Sequence, residues 1–283
     1  MSGKEASYAD VVEPPGSGSR LLGRLAGADR WWLLVLAALL ILVVLVQFKP
    51  DPFRTMFLFL ADGIVVTLRI TLTSFIFILI VGLFGGLGRL ARNPIIKGIA
   101  SLYVETIRGI PLLVQLLFIW FALPQVFDRV GVLLQGFWPA AAAWFDELTL
   151  DPFTAAVLGI TICYGAYMSE IFRAGIQSIH RGQMEAARSL GMTYVQAMRY
   201  VILPQAVRVI LPPVGNEFVT LLKDSSLVSV LAVSDLTRRG REYMARTFQS
   251  FETWTMVALI YLVLTLTFTR IAAAIERRMS AGR

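Results

Sequence analysis

Six stretches of mostly apolar residues, parted by shorter polar or basic ones, organise this chain. Residues 31–48 are 18 uncharged positions, enough for a helix that crosses a bilayer. The run is too long for a signal-peptide core, and Gln47-Phe48-Lys49-Pro50 offers no small-residue cleavage site, so it reads as a retained anchor. Residues 70–88 form a second uncharged span. Its Gly82, Gly85, Gly86 and Gly88 would admit another helix at close range. A short basic loop holds Arg89, Arg92 and Lys97, and the next helix is predicted over 99–123, with Glu105 and Arg108 near its start. Residues 128–151 read as a longer loop. Its acids (Asp128, Asp146, Glu147, Asp151) and its Trp138 and Trp144 suit an outer membrane face. Residues 153–169 span next and end at Glu170 and Arg173. Residues 206–233 read as a less regular, broken helix through Pro212, Pro213 and Gly215, and residues 253–269 as the last span. The predicted fold class is an all-α polytopic membrane protein with about six transmembrane helices. Residues 1–30, rich in Ser, Gly and Pro, read as a flexible cytoplasmic tail.

Composition agrees. The chain of 283 residues is 57% hydrophobic and 16% charged, against about 25% charged in soluble domains. The net charge of +7 fits cytoplasmic loops that collect Lys and Arg. No basic run is interleaved with stacking aromatics, so nucleic acid is not an expected partner. Cys163 is the single cysteine, forms no internal disulfide and reads as a small buried apolar residue. Alternating the spans places both termini in the cytoplasm. Arg238, Arg239, Arg241 and Arg246 then fall outside, partly offset by Asp235, Glu242 and Glu252. No internal repeat is evident.

The stretch 177–204 departs from this pattern. Connections inside helical bundles usually take a few residues, yet this one is long, polar and full of helix signals. Residues 184–190 make a good helical run, stopped by Gly191. Thr193 with Gln196 matches a capping box that starts a second helix, which Pro204 ends while opening the next. The result is two short helices at a glycine corner. Ala186 and Ala187 leave a face without bulk beside Glu185 and Arg188. Such a hairpin either docks in a partner's groove or rests on the lipid interface. Its residues leave both open.

Glu185-Ala186-Ala187, then Gly191, then Val201-Ile202-Leu203-Pro204 resembles the EAA loop of binding-protein-dependent ABC importer permeases, with Val201 where the pattern usually has Ile. The segments Arg108-Gly109-Ile110-Pro111, Gly165-Ala166-Tyr167-Met168-Ser169-Glu170 and Lys223-Asp224-Ser225-Ser226 resemble the polar amino-acid (histidine, glutamine, arginine and glutamate) type of that family. The resemblance implies a five-helix type I core over residues 63–278, with helix 31–48 an addition, in a bacterial inner membrane. It implies that loop 183–204 is a coupling helix seated on a separate ATPase subunit. Glu185 would face basic or donor groups there, Ala186 and Ala187 would allow close approach, Gly191 would make the turn, and Arg188 belongs to the same coupling set. It further implies a second permease subunit (itself or a paralogue), an external solute-binding protein and a polar amino-acid substrate. ATP and Mg would be bound by the ATPase. This chain has no G-x-x-x-x-G-K-[ST] phosphate loop, and no catalytic residue, cofactor or metal site is expected in it.

Ionisable residues inside a membrane are costly and point to function. The substrate-path candidates are therefore Tyr164, Glu170, Asn216, Glu217, Lys223 and Asp224. An acid would hold the ammonium of an amino acid. Lys223 or a half-helix N-terminus would hold its carboxylate. Against this, Lys223 with Asp224, Glu170 with Arg173 and Glu105 with Arg108 are spaced as structural pairs, and Tyr167 suits packing or path lining equally. Two other function classes share some of these features. An ion-coupled secondary transporter would not need the long loop and should show repeat symmetry. A non-transporting scaffold would leave the intramembrane polar residues unexplained.

Overall fold

The computed structural model describes residues 30–48 and 50–280, so the predicted tail lies outside the described residues except for Arg30. Helices α1 (Arg30–Phe48), α2 (Pro50–Leu90) and α3 (Pro94–Arg108) open the chain. Helix α4 (Leu112–Leu117) continues through a π-turn (Phe118–Ala122) into α5 (Leu123–Leu134). Helices α6 (Pro139–Glu147), α7 (Pro152–Gln177) and α8 (Arg181–Ser189) follow. Helix α9 (Tyr194–Ala197) runs through a second π-turn (Met198–Ile202) into α10 (Leu203–Asp224). A 3-10 segment (Ser225–Leu231), α11 (Leu236–Thr247) and α12 (Ser250–Ser280) complete it. No strand occurs among the described residues.

Local chemistry sets these boundaries. Asn93 and Asp151 cap α3 and α7, each accepting two backbone N–H groups ahead of a proline in the first turn. Pro111, which has no N–H, stands between α3 and α4 and breaks the helix predicted over 99–123 at Gly109. The two π-turns share a device. Each precedes Leu-Pro-Gln (123–125 and 203–205), and the Gln side chain donates to the carbonyl four residues back, Gln125 to Phe121 at 2.9 Å and Gln205 to Val201 at 2.8 Å. The helix widens to accommodate the proline and continues. Pro204 therefore does not end the second loop helix, contrary to the sequence expectation.

Three further expectations are corrected. The span predicted to start at 70 begins about five turns earlier: residues 53–69 are mostly apolar, and the helix runs through their three charged residues, Arg54, Asp62 and Arg69. The acidic loop 128–151 is largely helical, with Asp128 inside α5 and residues 139–147 forming α6. The irregularity expected at Pro212 and Pro213 is absent. Helix α10 passes through both prolines, and irregular backbone runs from Ser225 to Asp235, with φ 63° at Ala232. Among the described residues four helices are long and apolar enough to cross a membrane (Asp51–Leu90, Leu112–Leu134, Pro152–Gln177, Ser250–Met279), and Trp32–Phe48 is a shorter apolar helix. Helix α10 has 22 residues but carries Arg208, Asn216, Glu217, Lys223 and Asp224.

The main seam joins α2 to α7. A Cβ on Gly82 would lie 2.5 Å from the Met168 side chain, and one on Gly86 would lie 2.8 Å from the Ser169 carbonyl oxygen, so these glycines let the backbones touch as the sequence predicted. Around this seam Ile70, Ile78, Ile160, Met168 and Leu221 form a fully buried core. A second core, of Met56, Leu60, Leu236, Met256 and Ile260, joins the first half of α2 to α11 and α12, and α1 packs on it through Leu42 and Val46. Two of the four arginines of α11 that broke the charge pattern form ion pairs there. Arg239 pairs with Asp62 and Glu242, and Arg238 pairs with Glu242. Arg239 and Arg246 stack over the Phe59 ring at 5.3 and 5.2 Å.

Candidate substrate path and coupling hairpin

Helices α7 and α10 meet where the Tyr164 hydroxyl donates to the Asp224 carboxylate at 2.6 Å. Beside this bond lies a cavity of about 380 Å³ lined by Leu112, Cys163, Tyr164, Tyr167, Glu217, Thr220 and Asp224. Helical geometry assembles it. Glu217, Thr220 and Asp224 follow at i, i+3 and i+7 on α10, and Tyr164 and Tyr167 at i, i+3 on α7. Leu112 begins α4 after the Gly109–Pro111 break, so the discontinuous helix reaches the same cavity.

Of the six path candidates, the structure brings Tyr164, Glu217 and Asp224 together. Asn216 and Lys223 are exposed on α10 and do not line the cavity. Glu170 lies apart from the cavity in an ion-pair knot with Arg89 (2.5 Å) and Arg173, and Arg89 also reaches Glu105 at 3.6 Å. The expected Glu170–Arg173 pair therefore forms. The expected Glu105–Arg108 pair does not: Arg108 instead stacks at 5.1 Å over the ring of Tyr167, which lines the cavity. Neither Lys223 nor Arg108 lines the cavity, and Arg108 reaches it only through its contact with Tyr167. Thr220 was missed altogether, although its i+3 spacing from Glu217 was a usable signal.

The hairpin begins at His180, whose Nδ1 accepts the Gly182 N–H at 3.1 Å and caps α8. It turns at Gly191, whose φ of +84° belongs to the left-handed region open to glycine. There Met192 N–H reaches back to the Ala187 carbonyl at 3.2 Å. The Thr193–Gln196 capping box is present in both directions. Glu185, Ala186 and Arg188 are exposed. Ala187 is 3% exposed and packs inside the chain, so its small size serves the hairpin's own fold and only Ala186 keeps the outer face flat. At the tip Leu190 is 81% and Val195 72% exposed, which leaves apolar surface beside the polar Glu185 face. Among the described residues no cluster of three His, Cys, Asp or Glu could hold a metal ion.

Residues 78–281 match the family model described as binding-protein-dependent transport system inner membrane component. The glutamine transport system permease protein GlnP of Escherichia coli (strain K12) is 40% identical over 220 residues, 78% of this chain and 92% of that protein. The arginine transport system permease protein ArtQ of Bacillus subtilis (strain 168) is 37% identical over 224 residues, covering 79% and 94%. The L-cystine transport system permease protein TcyB of the same strain is 38% identical over 221 residues, covering 78% and 86%. A crystal structure of an amino acid ABC transporter with histidines superposes with a TM-score of 0.67 at 40% identity, over 83% of this chain and 97% of that one. The inward-facing MetNI methionine ABC transporter, at 21% identity and a TM-score of 0.61, shares the fold.

Proposed function

Because the chain belongs to the binding-protein-dependent transport system inner membrane component family, and is a permease subunit of an ABC amino-acid importer, we propose that the Tyr164–Glu217–Asp224 cavity is its share of the amino-acid path. Residues 183–204 are then the piece that receives the ATPase stroke. The carrying observation is two carboxylates, Glu217 and Asp224, facing one small space beside a tyrosine hydroxyl in a chain of membrane helices. A buried charge without a partner is expensive. An amino acid brings an ammonium for one carboxylate and a carboxylate for Arg108, which stacks on the lining residue Tyr167. Only a cationic side chain would also neutralise the second acid. The charge balance therefore favours arginine, lysine or protonated histidine over glutamine, and disfavours glutamate and aspartate.

In this reading two ATPase subunits, a second permease subunit and an external solute-binding protein complete the importer, and both termini face the cytoplasm. ATP and Mg stay with the ATPase subunits. Glu185, Ala186 and Arg188 supply the contact surface, Gly191 the corner, and the continuous helix from Tyr194 to Asp224 a rigid lever. That lever carries motion from the hairpin to the cavity, which sits at its far end. The π-turn at Met198–Ile202 lies between the two.

The test is ATP-driven uptake by the reconstituted importer, with labelled arginine, lysine, glutamine and glutamate offered in turn and the binding protein matched to each. Uptake favouring the cations is expected, and glutamate accepted as well as arginine would sink the assignment of the cavity. Separately, Glu185→Lys should insert normally and lose coupled uptake. Unchanged uptake in that variant would remove the hairpin from the transmission path.

A further inference from the structure

On another face of α10 from the substrate cavity, a second space of about 520 Å³ opens between α2 and α12, floored by α10. Its walls are apolar. Leu79, Phe172, Leu211, Val214 and Ala272 are among them, and no charged side chain lines it. At one end three aromatic rings gather, with centroids 4.9 Å apart for Phe75 and Phe218 and 5.1 Å for Phe218 and Phe268. Toward the other end Val207, Ile271 and Ile275 are 44%, 45% and 49% exposed, so the cleft is open there.

The two helices that flank the open end carry matched features. Helices α10 and α12 run antiparallel, with Phe218 against Phe268. Ten residues from Phe218 toward the open end, α10 presents Arg208, and ten residues from Phe268 toward the same end, α12 presents Arg278. Both arginines are exposed. Ten residues of helix rise about 15 Å, half of a hydrocarbon core about 30 Å thick. From the aromatic cluster to the two arginines the apolar cleft is therefore about one leaflet long, and Leu72, 48% exposed, lines it beyond the cluster. Glu276 is the acid nearest in sequence, on the turn of α12 between Ile275 and Arg278.

We infer that this cleft binds one acyl chain of an anionic glycerophospholipid from the leaflet on the side of the coupling hairpin, with the headgroup phosphate held by Arg208 and Arg278. The assignment of the leaflet rests on the hairpin facing the cytoplasm. The assignment of the ligand does not. The two exposed arginines at the open end match a headgroup phosphate, and a helix of a second permease chain would need acids placed there to do the same. The bound chain would lie against the segment of α10 that joins hairpin to cavity, at Val207, Leu211 and Val214. Anionic lipid content should then affect coupling as well as stability.

The assembled importer, purified in mild detergent, is offered phosphatidylglycerol and phosphatidylcholine of identical acyl composition, and bound lipid per permease is counted by native mass spectrometry. Preferential retention of phosphatidylglycerol is expected. Arg208→Gln with Arg278→Gln should reduce that preference by about tenfold or more, since each surface arginine contributes to anionic-lipid attraction. Arg129→Gln, toward the opposite end of the spans, should leave it unchanged. If the double variant fails to assemble, Arg278→Gln alone serves, with a proportionally smaller loss. Equal retention of the two lipids, or full retention by the arginine variants, would overturn the inference. So would a photoreactive residue at Leu211 that crosslinks to a second permease chain instead of to lipid.

Discussion

Glu217→Gln isolates the charge argument, because glutamine keeps the side chain's length and volume while removing one of the two carboxylates that face the cavity. Two unit charges 4 Å apart at an effective dielectric of about 20 attract by about 4 kcal/mol, which bounds the effect from above. A hydrogen bond to a charged group is worth about 1.5–3 kcal/mol net. At about 1.4 kcal/mol per decade, the KM for a cationic amino acid should rise by about 10- to 150-fold. A neutral amino acid makes no second ion pair there and should lose far less, so the cation-to-neutral preference should collapse. The assay is initial uptake rates in proteoliposomes with ATP inside. The concentration of substrate-loaded binding protein is varied to obtain the KM, and the thermal midpoint of the variant is measured in parallel. An unchanged preference in a well-folded variant would refute the reasoning, because it would mean that Glu217 never meets the substrate's side chain.

Gly86→Leu should destabilise the α2–α7 seam by about 1–3 kcal/mol or more, since its Cβ would lie 2.8 Å from the backbone oxygen of Ser169, which has no rotamer by which to yield. A lowered thermal midpoint in detergent checks it. Gly191→Ala forces a side chain into the left-handed region at φ +84°, at a cost of about 1–2 kcal/mol. ATP-driven uptake should fall several-fold, with membrane insertion read by protease protection unchanged. Asp235 caps α11 while 1% exposed, and burial lifts its carboxyl to about 6 from the ordinary 3.8. The folded protein thus holds this proton where the unfolded chain has released it. Its contribution to stability is fully present below about pH 4 and lost as the pH rises through about 6. Melting curves of Asp235→Asn should therefore be flatter than those of the unmodified chain between those values.

The sequence by itself determined whatever depends on neighbours along the chain. Apolar run length announced a helical membrane protein. The glycines of residues 82–88 announced a close helix seam, because only their lack of a Cβ permits contact. The glycine corner at 191 and the Thr193–Gln196 box could be read because caps and left-handed turns are made by residues a few positions apart. Spacing over twenty residues carried the family. The tertiary structure decided what local rules leave degenerate. A proline can end a helix, as at Pro111, or be absorbed in one, as at Pro124, Pro204, Pro212 and Pro213, and beside Pro124 and Pro204 the following Gln side chain donates to a nearby carbonyl. Charge pairing was degenerate in the same way. Arg108 had Glu105 at helical spacing and went to Tyr167. Arg89 took Glu105 and Glu170, and Lys223 was left outside the cavity that its neighbour Asp224 enters. Ala187 has the small side chain that a docking face requires, yet the hairpin's own packing buries it. A charged or small residue chooses among several partners of similar local geometry, and only the crossing of α7, α10 and the broken α3–α4 helix decides which of them is within reach.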